Sequence, residues 1–201
     1  MTIVIILVKD PHWPKICDMR VSKEKAAENR DRILKAAAHL IRERGISGAG
    51  VDALTDAAGM THGSLYSQFG SKERLVEEAV AYMMATKRQE VREDTALGDY
   101  VSKYLSAAHR DEPGSGCPLA ALCSEMPRQG RGARERFTAG LRGMVGWLSS
   151  RMGSGIKQRQ RDEEALATLA SLVGAVVLAR AVSDPKLSDD ILRSTRKRLE
   201  R

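Results

Sequence analysis

Three glycines, at 45, 59 and 70, cut residues 24–70 into helical pieces too short to stand alone, and no other feature constrains the fold as tightly. From Glu24 to Arg44 the apolar residues Ile33, Ala36, Ala37, Leu40 and Ile41 recur at helical spacing. Gly45 suits the residue just past a helix C-terminus. A shorter helix is predicted from Val51 to Ala58, with Leu54, Ala57 and Ala58 inward. Gly59 can take the positive φ of a tight corner. Thr61 caps a third helix, "HGSLYSQF", which Gly70 ends. Ser71 caps a fourth, beginning at Lys72, with Glu73 near its positive end. Helices this short are marginal alone in water, so they must pack on one another. Three of them, with a glycine turn between the second and third, make a helix-turn-helix arrangement. In it Met60 and Leu65 face the core, and Thr61, His62, Ser64, Tyr66 and Gln68 are left to face outward.

The rest of the chain also reads as helical, and Ala and Leu supply most of its apolar content. Leu97, Val101, Tyr104, Leu105 and Ala108 form one stripe, followed by "HRDEPGSG" as a loop. Pro118 opens a helix to about Met126, and "PRQGRG" breaks it. Phe137, Leu141, Met144, Val145, Leu148 and Met152 mark a long amphipathic helix that ends at the "GSG" of 153–155. Ala165, Leu166, Leu169, Leu172, Val173, Val176 and Val177 form a broad apolar face. Asp184–Pro185 then breaks the chain before a last helix from Ser188 to about Leu199, where Asp189 and Asp190 suit the helix dipole. The predicted fold is all-α, with an extension over 1–22, a three-helix head over 23–70 and a helical domain over 71–201.

Charge adds direction. The formal net charge is +7. Between Arg20 and Arg44, eight Lys and Arg stand against four acids, so over half the excess lies near the N-terminus. That suits an acidic partner such as nucleic acid; plain solubility is the other reading. Cys17, Cys117 and Cys123 form no CxxC pair and no disulfide framework, which fits a reducing cytoplasm. The run "TIVIILV" is too short to span a bilayer and lacks the flanks of a signal peptide. Met19 opens a more ordinary start, so residues 1–18 read as the product of an upstream start codon or a disordered tail; a real N-terminal strand or arm is the alternative. His12, His39, His62 and His109 have no metal-ligand spacing, and no GxSxG, Walker or GxGxxG pattern occurs. The sequence therefore points away from an enzyme and calls for no metal or cofactor.

Residues 28–75 resemble the DNA-binding domain of TetR-family repressors. The string "AGMTHGSLYSQFGSKERL" matches that family's signature along its length. The second half resembles one branch of the family through "GCPLAALCSEMPRQ" and "LVGAVVLARAVSDPKLSDDIL". The resemblance implies a helix-turn-helix DNA-binding domain joined to a helical ligand-binding and dimerisation domain, and repression of an operator relieved by a small molecule or electrophile. A constitutive DNA-binding dimer without a ligand is the competing expectation. Two departures stand out. Ala49 and Gly50 occupy the place of a hydroxyl residue that caps the second helix and meets a phosphate, and Leu54–Thr55 stands where Ile-Ala is usual.

On the resemblance, His62, Ser64 and Gln68 are expected at base edges, with Gly63 allowing close approach; a merely solvated face is the bland reading. Tyr66 is expected to bond a phosphate or else to pack partly as core. Lys72 is expected on a phosphate, and so is the backbone N–H of Thr61. Lys23, Lys25 and Arg30 either follow the DNA backbone and minor groove or form a solvated face. In the second domain Cys117 sits at a helix N-terminus, where the dipole favours a thiolate; it is either a sensor or a packing residue, and Cys123 is read as core. Met126, Met144, Tyr104, Phe137 and Trp147 are expected to line an apolar ligand pocket or to be core. A homodimer is expected through the last two long helices, by way of Leu166, Leu169, Val173, Val176 and Val177, with Gly174 allowing close approach.

Overall fold

In the computed structural model, residues 23–92, 94–153, 155 and 157–200 are described. The expectations for residues 1–22, including those for Cys17 and Met19, lie outside them. Ten α-helices follow in order: α1 Lys23–Gly48, α2 Val51–Ala58, α3 His62–Phe69, α4 Lys72–Glu90, α5 Leu97–Tyr104, α6 Ala107–Asp111, α7 Pro118–Leu122, α8 Arg131–Ser150, α9 Gln158–Ala181 and α10 Pro185–Leu199. Short 3-10 turns stand at Pro113–Ser115 and Met126–Arg128.

The glycine punctuation holds. Gly45 kinks α1 at φ 76°, and Gly59 and Gly70 take φ 61° and 76° at the ends of α2 and α3. Elsewhere several boundaries differ from the sequence reading. The stripe from Leu97 to Ala108 is two helices. In a continuous helix the Tyr104 carbonyl would accept from the amide of residue 108. Here the His109 ring Nδ1 sits 2.6 Å from that oxygen, and Ser106 starts a new helix by accepting from His109 N. The "HRDEPGSG" stretch is correspondingly not a loop throughout, since His109–Asp111 belong to α6 and Pro113–Ser115 forms a 3-10 turn. α7 stops at Leu122, so Cys123, expected in the core, is exposed. The last helix begins at Pro185. Asp184 accepts from the amides of Lys186 and Leu187, and proline's fixed φ suits the first turn. That start puts Asp189 and Asp190 beyond the first turn. Asp189 receives a hydrogen bond from Arg110 Nη1 at 2.6 Å, and Asp190 pairs with Arg193.

Two apolar clusters hold the helices. The first lies within α1–α4, around Ile33, Ile41, Leu54, Leu65, Leu75 and Met83, and it recruits Leu122, Met126 and Ala133 from later in the chain. The second packs Tyr100, Tyr104, Trp147, Leu148, Leu172 and Val176 between α5, α8 and α9. Phe137, half-buried on α8, touches both. α9 is long and apolar enough, by length and composition, to cross a membrane. One side of it, carrying Ala165, Leu169, Leu172 and Val176, is buried within this fold.

Candidate nucleic-acid interface

α2 and α3 are set by local chemistry. Gly50 precedes α2 without a side-chain cap, as the sequence suggests. Thr55 is buried and turns its hydroxyl onto its own helix, donating to the carbonyls of Val51 and Asp52 at 3.0 and 2.9 Å. Its hydroxyl is thus satisfied at a position where alanine is usual. After the Gly59 corner, the Thr61 hydroxyl accepts from Ser64 N at 3.3 Å and starts α3. Leu65 and Phe69 anchor α3 in the core.

The opposite side of α3 is offered to solvent. Thr61, His62, Gly63, Tyr66 and Ser67 are exposed, while Ser64 and Gln68 are half-buried. Tyr66 is 47% exposed, so it presents about half of its side chain to solvent on this face. A Cβ built on Gly63 would meet only the Thr61 hydroxyl, at 3.9 Å, so nothing inside the protein requires glycine there. His62 is not simply solvated, because its Nε2 lies 2.7 Å from Asp52 Oδ1 and ties α3 to α2. At the start of α4 the Ser71 hydroxyl accepts from Arg74 N. The Glu73 carboxyl is held below its usual pKa by its own backbone amide and by Ser71. Lys72 is the first residue of that helix.

Arg30 was expected at the DNA backbone or minor groove, and the structure gives it an internal role. Its Nη1 donates to the Gln68 carbonyl at 2.5 Å, its Nη2 pairs with Glu78, and its guanidinium lies 4.4 Å from the Phe69 ring centre. It straps α1 to α3 and α4. Lys23 and Lys25 are exposed, and Lys25 pairs with Glu28 at 3.0 Å. An exposed pair of this kind contributes little to stability and is readily exchanged.

Residues the sequence reading did not single out join the head to the second domain. Glu125 reaches the turn after the Gly45 kink. Its carboxylate accepts from Ile46 N at 3.1 Å and from the amide and hydroxyl of Ser47 at 3.3 and 3.4 Å. Arg42 Nε donates to the Gly114 carbonyl at 2.6 Å. Burial pushes the Arg42 pKa down. His109, whose ring lies against Gly116, accepts from Cys117 N on Nε2 at 2.9 Å, so its Nδ1 carries the proton that Tyr104 O receives. Burial, and then the charges of Arg180 and Lys87, lower the His109 pKa to about 4. Arg180 on α9 donates to the carbonyls of Arg110 and His109 at 2.9 and 2.6 Å.

Of the cavities that open in the second domain, two are lined by expected ligand residues. One, of about 330 Å³, is lined by Tyr100, Tyr104, Val91 and His109 with Lys87, Lys103, Glu90, Asp99 and Glu112 around it. The other, of about 310 Å³, lies between α4 and α8 and is lined in part by Met84, Cys117, Leu119 and Met144. Of the expected ligand residues, Tyr104 lines the first, and Cys117 and Met144 the second. Trp147 is packed behind them, its ring 4.7 Å from that of Tyr100. Met126 and Phe137 line neither cavity. Because α7 stops at Leu122, Met126 turns into the head cluster, and Phe137 sits on the seam between the two clusters.

A capped helix held outward on a tight glycine corner, over an all-helical second domain, defines a helix-turn-helix DNA-binding protein. Comparison narrows the class. Residues 33–79 match the model of the bacterial regulatory proteins of the tetR family. The HTH-type transcriptional repressor KstR2 of Mycolicibacterium smegmatis is 43% identical over 54 residues, a match that spans 27% of this chain and 26% of that repressor. An uncharacterised HTH-type transcriptional regulator of Mycobacterium tuberculosis is 29% identical over 172 residues, covering 77% of this chain and 86% of its own. A TetR-family regulator structure from Agrobacterium tumefaciens superposes with a TM-score of 0.70 at 23% identity, covering 86% of this chain and 98% of that one. Residues 33–79 thus carry a DNA-binding domain of the tetR type, and the chain as a whole shares the fold of TetR-family regulators.

Proposed function

We propose that this protein is a cytoplasmic, homodimeric repressor that binds an operator through α3 and is released by a small-molecule effector held in its second domain. The observation that carries the DNA reading is the outward face of α3, seated on the Gly59 corner and the Thr61 cap. His62, Ser64 and Gln68 read base edges, Gly63 admits the groove, and Tyr66, Lys72, Lys25 and the Thr61 amide meet phosphates. Arg30 is left out, being engaged by Gln68, Glu78 and Phe69.

The dimer reading is carried by α9. From Ala165 to Ala179 it has no charged residue. Leu169 and Val176, expected at the seam, are buried against the protomer's own core. Val173 and Val177, also expected there, are partly buried against the same core, while Leu166, Gly174 and Leu178 lie on the other side of the helix. Leu166 and Leu178 are 51% and 57% exposed, and a Cβ on Gly174 would meet nothing within 4 Å. A second copy on this face would cover them and present two recognition helices.

The effector reading is supported by the two cavities, whose walls lead to the head through α4 and through the Arg42–Gly114 contact. Cys117 is 1% exposed, so an electrophile would have to enter through the α4–α8 cavity. Reversible occupancy is the reading preferred here.

Binding to the DNA that flanks the gene, followed by fluorescence anisotropy across a salt series, tests the proposal. Lys72→Ala should weaken all sequences alike and reduce the salt slope by about 0.9 for each subunit of the dimer. Gln68→Ala should relax specificity at one base position, costing roughly 1–3 kcal/mol. Equal losses by both variants on specific and random DNA would refute the division of roles.

A further inference from the structure

We propose that the cavity between α4 and α8 takes an amphipathic carboxylate, an acyl-type anion with a mid-length apolar tail. This rests on the reading of the second domain as the effector-binding part. The charge of the two cavities differs. Around the one floored by Tyr100 and Tyr104, Lys87 and Lys103 stand with Glu90, Asp99 and Glu112, a mixture that does not select an anion. Around the α4–α8 cavity stand Lys87, Arg88 and Arg136, and no Asp or Glu is among the lining residues. Glu90 and Glu77, which pair with Lys87 and Arg136 at 3.0 and 3.5 Å, lie outside that lining.

The interior matches an apolar tail. Met84, Met144, Cys117, Pro118 and Leu119 are among its lining residues. Unbranched thioether chains reshape readily around a guest. α8 contributes bare backbone. At Gly140 a Cβ would strike Met84 Cγ at 2.4 Å, so the helices touch there. About one turn on, at Gly143, a Cβ would meet nothing within 4 Å, so the space opens. The tail lies along this strip, and the carboxylate accepts from Arg88 and Arg136, whose planar forks suit it. Met144 also accepts a weak hydrogen bond from the Tyr100 hydroxyl at 3.6 Å. An occupant that displaces Met144 therefore disturbs the aromatic cluster, and one that parts α4 from α8 tilts the helix that begins at Lys72.

Calorimetric titration of the DNA-free protein with decanoate, decanol and acetate tests the site. Decanoate should bind once per protomer, and decanol and acetate should bind at least about tenfold more weakly, the scale of a lost charge-assisted hydrogen bond or a lost tail. Arg88→Ala should weaken decanoate by about tenfold. Gly143→Leu, whose Cβ would meet nothing within 4 Å at a residue that lines the cavity, should abolish decanoate binding while leaving the melting temperature unchanged. Equal affinity for decanol and decanoate, or full decanoate binding by Gly143→Leu, overturns the proposal. Operator release is read separately by anisotropy. Decanoate that binds without releasing DNA counts against the effector reading and upholds the site, whereas absence of binding removes the site and leaves DNA recognition standing.

Discussion

Glu125→Ala should destabilise the whole protein measurably, although residue 125 lies far along the chain from the turn it holds. The carboxylate receives two amides and a hydroxyl from Ile46 and Ser47, which follow the kink at Gly45. In effect it is a helix cap supplied from another domain. Loss of a cap costs about 0.5–2 kcal/mol, and a hydrogen bond to a charged group contributes about 1.5–3 kcal/mol where it is buried. Ser47 is exposed, so water replaces part of the loss there. The expected sum is about 2 kcal/mol, equivalent to a fall of roughly 4–8 °C in melting temperature for a chain of this size. Glu125→Gln keeps the shape and one acceptor, and should lose about half as much. Gly45→Ala should be worse than either, because φ is 76° and the new Cβ would lie 2.4 Å from Glu125 Oε1. Differential scanning calorimetry on the full chain reads all three. A Glu125→Ala protein that melts within about 1 °C of its parent would refute this account of the turn.

Acid should loosen the second domain through His109, whose folded pKa of about 4 lies below the ordinary histidine value of 6.5 because the ring is buried. The unfolded chain takes the proton first, so stability is full above about pH 6.5, falls as pH drops towards 4 and is flat below, a change of about 3 kcal/mol in all; melting temperatures from pH 7.5 to 4 check it, and His109→Gln should flatten the slope. Arg30→Ala should lower operator affinity for every sequence without altering the salt slope, because it slackens α3 and removes no phosphate contact; an unchanged affinity, or a reduced slope, would contradict the strap reading. Leu178→Arg should convert the dimer to monomers by light scattering while circular dichroism stays helical, and a persisting dimer would move the interface elsewhere.

The head was legible because its signals are local. Gly59, Thr61 and Ser71 each act within a few residues of themselves, so the pattern of letters carries the geometry. Arg30 could not be read this way. Its partners lie 38 and 48 residues away, and an arginine beside a predicted DNA-binding motif looks the same whether it meets a phosphate or Glu78. Glu125 gave no signal either, since its hydrogen bonds span 78 and 79 residues. The split between α5 and α6 was local and still missed, because a histidine ring competing for a helix carbonyl is not among the usual stop signals. α9 defeated periodicity for a different reason. Apolar residues surround it, so nothing in the sequence separates Leu169 and Val176, which face inward, from Leu166 and Leu178, which do not.

The make-up of the head's apolar cluster bears on how regulators of this kind can be recombined. Leu122, Met126 and Ala133 belong to the same cluster as Ile33, Ile41 and Leu65. A chimera that exchanges only residues 23–70 therefore carries a DNA-reading unit whose floor stays behind in the recipient. Its Ile41 and Ile46 would sit against whatever side chains the new host supplies after its α7. A graft of residues 23–90 together with 118–137 brings that floor with it, including the α4 residues Leu75 and Met83 and also Glu125, the carboxylate that closes the turn at Ile46. The unit of inheritance is in this sense discontinuous, two stretches of chain separated by the helices α5 and α6, and a crossover at the end of α3 divides what folding has joined.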